Sequence, residues 1–99
     1  MKLPYQFTLG KSHYQLHTYR ASATSRIMGC TYFAAQTMTV TVSRGGKPRP
    51  SKDIAETFWH EVTHAILRDM KHPLWDDEEF VTAFSKRLTQ VIYSARFLK

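Results

Sequence analysis

His60-Glu61-Val62-Thr63-His64 sets two imidazoles four residues apart, with a carboxylate directly beside the first. On a helix, residues four apart lie on one face, one turn apart, so both rings can grip a single ion. Zn²⁺ held this way makes a bound water acidic, and Glu61 is placed to take the proton. Zinc-assisted hydrolysis is the chemistry that this spacing serves, with His60 and His64 as metal ligands and Glu61 as the catalytic base. Three fixed residues in a chain with five histidines are weak alone. Their context adds weight. The segment from Asp53 to Met70 contains no proline, and Ile54, Phe58, Val62, Ala65 and Ile66 recur at helical spacing. The two histidines flank that apolar stripe, at the edge of a buried face.

A catalytic zinc site needs a third protein ligand and an open position for water. Asp76, Asp77, Glu78 and Glu79 open a second helical pattern, and Asp69 and His72 lie nearer the motif. Asp76 and Glu79 fit a capping box, with Trp75 stapled onto Phe80. That leaves Asp77 and Glu78. The helical wheel puts Asp77 nearer the centre of the Phe80, Phe84, Leu88 and Val91 face, whereas Glu78 lies toward an edge with a longer side chain. Cys30, the only cysteine, sits in a strand-like run and reads as a small core residue. It can form no internal disulfide, which agrees with a reducing compartment.

The elements that must position these groups follow from pattern. Tyr5–Leu9 and His13–Tyr19 alternate across a Gly10-Lys11 turn, which predicts a hairpin. Ala21–Ser25 is a polar link. Arg26–Phe33 and Gln36–Val42 are two further strands joined at Ala34-Ala35, with Met38, Val40 and Val42 on one face. Arg44–Pro50 reads as a loop. Ser51 is the expected N-cap of the motif helix, with Asp53 and Glu56 near its positive end. That helix is expected to stop around Lys71-His72, before Pro73. The last helix buries Phe84, Leu88, Val91, Ile92 and Ala95. The fold class is therefore α+β: a small antiparallel sheet of three to four strands followed by two helices packed on one face. Ninety-nine residues suit a single domain, 1–99.

Charge is segregated. Residues 1–52 contain eight Lys and Arg and no Asp or Glu, while all eight acids lie in 53–99. A basic half of this kind suits an acidic partner, either nucleic acid or an acidic protein. No stretch has the apolar length of a membrane span, and Met1–Phe7 lacks an apolar leader, so the expected location is the cytoplasm.

The run Glu56–Leu67, followed by Glu78-Glu79-Phe80-Val81 opening a final helix, resembles small zincin-like proteins common in phage and prophage genomes. More broadly it is similar to zincin metallopeptidases with a Glu ligand. The likeness is specific over residues 53–92. It implies His60, His64 and Glu78 as zinc ligands and Glu61 as general base. Glu78 matches the downstream Glu two residues before a Phe-Val pair. The likeness also implies that Met38–Val42 is the edge strand lining a substrate cleft, and that the host cytoplasm is the working location. The chain departs from full-size peptidases in lacking a second lobe and an evident oxyanion donor; His17, Tyr32, His72 and Tyr93 are the available groups. Two other functions compete with peptide hydrolysis. One is a zincin-like binding protein or inhibitor that engages an acidic host protein or nucleic acid through the basic half. The other is a metal that only staples a small core, for which four protein ligands are usual.

Overall fold

The computed structural model describes residues 3–98, so Lys2 of the basic half lies outside the described residues. Five strands precede two helices: β1 (Gln6–Leu9), β2 (Ser12–Ala21), β3 (Gly29–Tyr32), β4 (Thr37–Arg44), β5 (Lys47–Pro48), α1 (Ser51–Asp69) and α2 (Glu78–Ser94). The α+β class predicted from pattern is the observed one. β1 and β2 form the expected antiparallel hairpin, with Gly10 at φ +60° in its turn.

The sheet is mixed rather than antiparallel. Its order is β1-β2-β4-β3, and β2 runs parallel to β4. Residues 22–28 reach far enough to step over a neighbouring strand position, since seven extended residues span about 23 Å and two strand spacings only about 10 Å. β3 therefore takes the outer position, and β4 returns between it and β2. This corrects the edge assignment: Met38–Val42 is paired on both sides, and the edge strand is β3. Arg44–Pro50 is also more than a loop. Gly45 and Gly46, at φ +56° and +79°, make the left-handed two-residue turn that joins β4 to β5.

α1 lays Phe58 and Val62 on Leu16, Met38 and Val40 of the sheet, and Ile54, Trp59 and Phe7 pack around this cluster. Val42 does not share the core face as expected. A register shift between Tyr19 and Arg20 breaks the alternation at that level, and Thr41 is buried instead, its hydroxyl donating to the Ile27 carbonyl at 2.9 Å. Arg49 ties sheet to helix by donating to the Thr41 carbonyl (2.6 Å) and the Thr57 hydroxyl (2.9 Å). Burial pulls its guanidinium below the ordinary arginine range.

The helix ends differ from expectation. Pro50, not Ser51, is the N-cap of α1, and it offers no side-chain bond; its carbonyl accepts from Ile54 N–H at 3.1 Å. α1 ends in a Schellman motif: His72 N–H bonds the Leu67 carbonyl (2.8 Å) and Lys71 N–H the Arg68 carbonyl (3.0 Å). α2 packs on α1 rather than directly on the strands. It buries Val81, Ser85 and Thr89, not the Phe84 and Val91 stripe, which stays exposed. Short side chains on the buried line let the two helix axes approach. Thr89 Oγ1 donates to the Ser85 carbonyl at 2.7 Å, so its hydroxyl is buried with a partner. No helix among the described residues is long and apolar enough to cross a membrane.

Lys71 carries the left-handed conformation of the Schellman turn, at φ +55°. A side chain there costs about 1–2 kcal/mol that glycine avoids, less what glycine loses to unfolded-chain freedom. Lys71→Gly is expected to raise unfolding free energy by about 0.5–1 kcal/mol in urea titration.

Candidate metal centre

α1 forms the floor of a cleft of about 410 Å³. Arg26–Gly29, leading into β3, make one wall, and Glu78, Thr82, Ser85 and Lys86 of α2 make the other. His60 and His64 rise from α1 one turn apart. Their Nε2 atoms are 3.2 Å from each other. Glu78 reaches across from the first turn of α2, placing Oε1 2.8 Å from His64 Nε2 and Oε2 3.0 Å from His60 Nε2. Among the described residues, His60, His64 and Glu78 are the one group of three whose donor atoms all lie within 4.8 Å of each other.

The cap of α2 explains why Glu78 takes this position. Asp77, not Asp76, is the N-cap, and its carboxylate accepts from Phe80 N–H at 2.9 Å. Capping occupies Asp77, the acid that the helical wheel favoured. Glu78 then becomes the first helical residue, on the same side of α2 as Thr82, Ser85 and Thr89. The wheel pointed to Asp77 rather than Glu78 because it took the larger apolar stripe for the buried one. Glu79 and Asp76 stay outside the cluster. Asp69 lies beside Gly10, at the far end of α1. His72 is used locally, its Nδ1 accepting from Leu74 N–H at 3.1 Å. Trp75 does not staple Phe80. It meets Phe33 edge to face at 5.9 Å.

The donor chemistry fits a cation. His64 Nδ1 lies 2.6 Å from the Trp75 carbonyl oxygen. A carbonyl only accepts, so Nδ1 carries a proton, and Nε2 is the nitrogen that faces Glu78 and His60. Two imidazole nitrogens and a carboxylate converge on one point, where either shared protons or a bound cation holds them together. A tetrahedral ion about 2.1 Å from each donor spaces the donors about 3.4 Å apart; the histidine nitrogens, 3.2 Å apart, are near that spacing, and the carboxylate oxygens, at 2.8 and 3.0 Å from them, would move outward by about 0.5 Å to take the ion. A histidine whose second nitrogen donates to a backbone carbonyl is the usual outer-shell arrangement for a metal ligand.

Two further contacts hold this arrangement, and neither was read from the sequence. The Arg68 guanidinium stacks 4.3 Å from the Phe33 ring centroid and 4.7 Å from that of Trp75. It fixes the residue whose carbonyl orients His64. On the cleft side, Glu61 is buried, and its Oε1 accepts from Thr31 Oγ1 at 2.8 Å. β3 can come this close because its first residue is glycine. A Cβ on Gly29 would lie 2.7 Å from Thr57 Cγ2 and 3.2 Å from Glu61 Cγ. Phe33 and Thr31 carried no visible signal until β3 was placed at the edge. Cys30 is half-buried on β3 and outside the donor cluster. His17 and Tyr32 are exposed strand residues, and the Tyr93 hydroxyl lies 3.5 Å from the Ser51 carbonyl. None of the four oxyanion candidates lines the cleft, where the cations are Arg26 and Lys86.

Comparison with protein-family models, curated proteins and solved structures finds no match for this chain.

Long-range ¹H–¹⁵N spectra of the metal-free protein are expected to show His64 as the Nδ1–H tautomer. In Arg68→Ala, with Trp75 released, the same spectra should show a mixture. A dominant Nε2–H tautomer in wild type would contradict the assignment. Gly29→Ala is expected to cost about 1–3 kcal/mol of stability in urea titration, because β3 and α1 must separate.

Proposed function

We propose that the chain is a zinc-dependent peptidase in which His60, His64 and Glu78 hold the ion and Glu61 is the general base. The observation that carries this reading is the convergence of three donor atoms, with His64 Nε2 turned inward by the contact of Nδ1 with the Trp75 carbonyl. When bound, zinc supplies Lewis acidity, lowering the pKa of water toward neutrality and polarising a carbonyl. The chain's own groups do the rest. Glu61, next in sequence to His60 and held by Thr31, takes the proton from the attacking water and returns it to the leaving amine. Glu78 and the two imidazoles fix the geometry. The outer edge of β3, unpaired among the described residues, borders the cleft and offers backbone groups to an extended peptide.

The test uses zinc-loaded protein with a library of quenched fluorescent peptides. Wild type should cleave, and chelation should abolish cleavage. Glu61→Gln should keep one zinc per chain while slowing turnover by about 10²–10⁴-fold. Cleavage that survives both chelation and Glu61→Gln would sink the mechanism.

A further inference from the structure

The helices cover only one face of the sheet. Along β2, Tyr14 and Leu16 are buried, while His13, Gln15, His17 and Tyr19 are exposed on the other side. The register carries that face across the sheet, with His17 beside Thr39 beside Cys30, and Gln15 beside Thr37 beside Tyr32. Tyr19 and Tyr32 are 50% and 52% exposed. Strand and residue spacings put His17 about 7 Å from Tyr19 along β2 and on the order of 12 Å from Tyr32 across β4, a bent track of three rings.

Charge divides along the same layers. The eight carboxylates all lie on α1, on α2 or in the link between them. The strands and their turns carry none. Lys47 in β5, level with Arg44 and Ala21 and so on the Tyr19 side of β2, and Lys11 in the first turn are exposed cations toward the two ends of the open face, whereas Arg20, next to Tyr19, is on the other side of the strand. A polar, carboxylate-free surface with flat rings and a basic border matches the demands of a nucleic-acid single strand. Bases stack on rings regardless of sequence, and phosphates seek cations. An acidic polypeptide would use the cations but has no flat groups to lay on the rings.

We propose that this open sheet face binds single-stranded nucleic acid, with bases stacked on Tyr19, His17 and Tyr32 and phosphates neutralised by Lys47 and Lys11. The proposal is independent of the metal reading, because the face lies opposite the helices that carry the cleft.

Fluorescence anisotropy with labelled dT20 and rU20 across a salt series tests it, with polyglutamate as competitor. Binding should weaken steeply as salt rises. Joint Tyr19→Thr and Tyr32→Thr, which keeps strand propensity, should lower affinity on the order of tenfold or more at fixed salt and leave the salt slope unchanged. Joint Lys11→Ala and Lys47→Ala should instead reduce the log–log salt slope by about 1.4, the share of two phosphates. Amide shift mapping on wild-type protein needs no variant, and should mark β2 and β3 rather than the α1–α2 cleft. The proposal is overturned by no binding at low salt, by a ring variant that binds like wild type, by polyglutamate competing as well as oligonucleotide, or by shifts confined to the cleft.

Discussion

Val81, Ser85 and Thr89 let α2 lie close against α1, and the position of Glu78 follows from that contact. A helix carrying Phe80, Phe84, Leu88 and Val91 would ordinarily turn those side chains inward. Here the small residues face α1 instead, so the first residue after the Asp77 cap stands over the motif histidines. Rotating α2 to bury the larger stripe would swing Glu78 away, leaving His60 and His64 with no carboxylate. The exposure of Phe84 and Val91 is a consequence of the observed helix orientation, which leaves Phe80 and Leu88 half-buried.

The second constraint is the link from Phe33 through Arg68 and Trp75 to His64. The cation stacked on two rings fixes the Trp75 backbone, and the Trp75 carbonyl fixes which imidazole nitrogen keeps its proton. Phe33 follows the edge strand, Arg68 lies in the last turn of α1, and Trp75 belongs to the inter-helix link. Three parts of the chain thus converge on one tautomer. Gly29 and Thr31 do the same for Glu61 from the other side, by close approach and by a hydrogen bond. The groups around the cleft are held by contacts outside the donor set.

What was legible in the sequence was local. The α1 stripe, the shared face of His60 and His64, the β1–β2 hairpin and the α+β order all follow from periodicities within a few residues. Placing β4 between β2 and β3 depends on pairing residues some twenty positions apart, which no local pattern records. The cap of α2 turned on a choice between adjacent acids, Asp76 and Asp77, that satisfy the same rule. Glu78 was preferred over Asp77 by resemblance and not by the wheel; the wheel failed because it weighs size and hydrophobicity, whereas helix approach here is set by small side chains. The partners of Arg68 and Thr31 became visible only when β3 was seen at the edge.

The two layers differ in chemistry as they do in structure. The helices and the link between them carry every side-chain carboxylate and the donor cluster, while the strands carry rings, hydroxyls and cations. The central claim is that His60, His64 and Glu78 form a metal centre. Zinc-edge X-ray absorption on protein loaded with one equivalent of zinc tests it most directly. The account predicts a site with two imidazole nitrogens and carboxylate oxygen at about 2.0–2.2 Å, with the imidazole signal reduced in His60→Ala. Failure to retain zinc, or a sulfur shell at about 2.3 Å from Cys30, would contradict it.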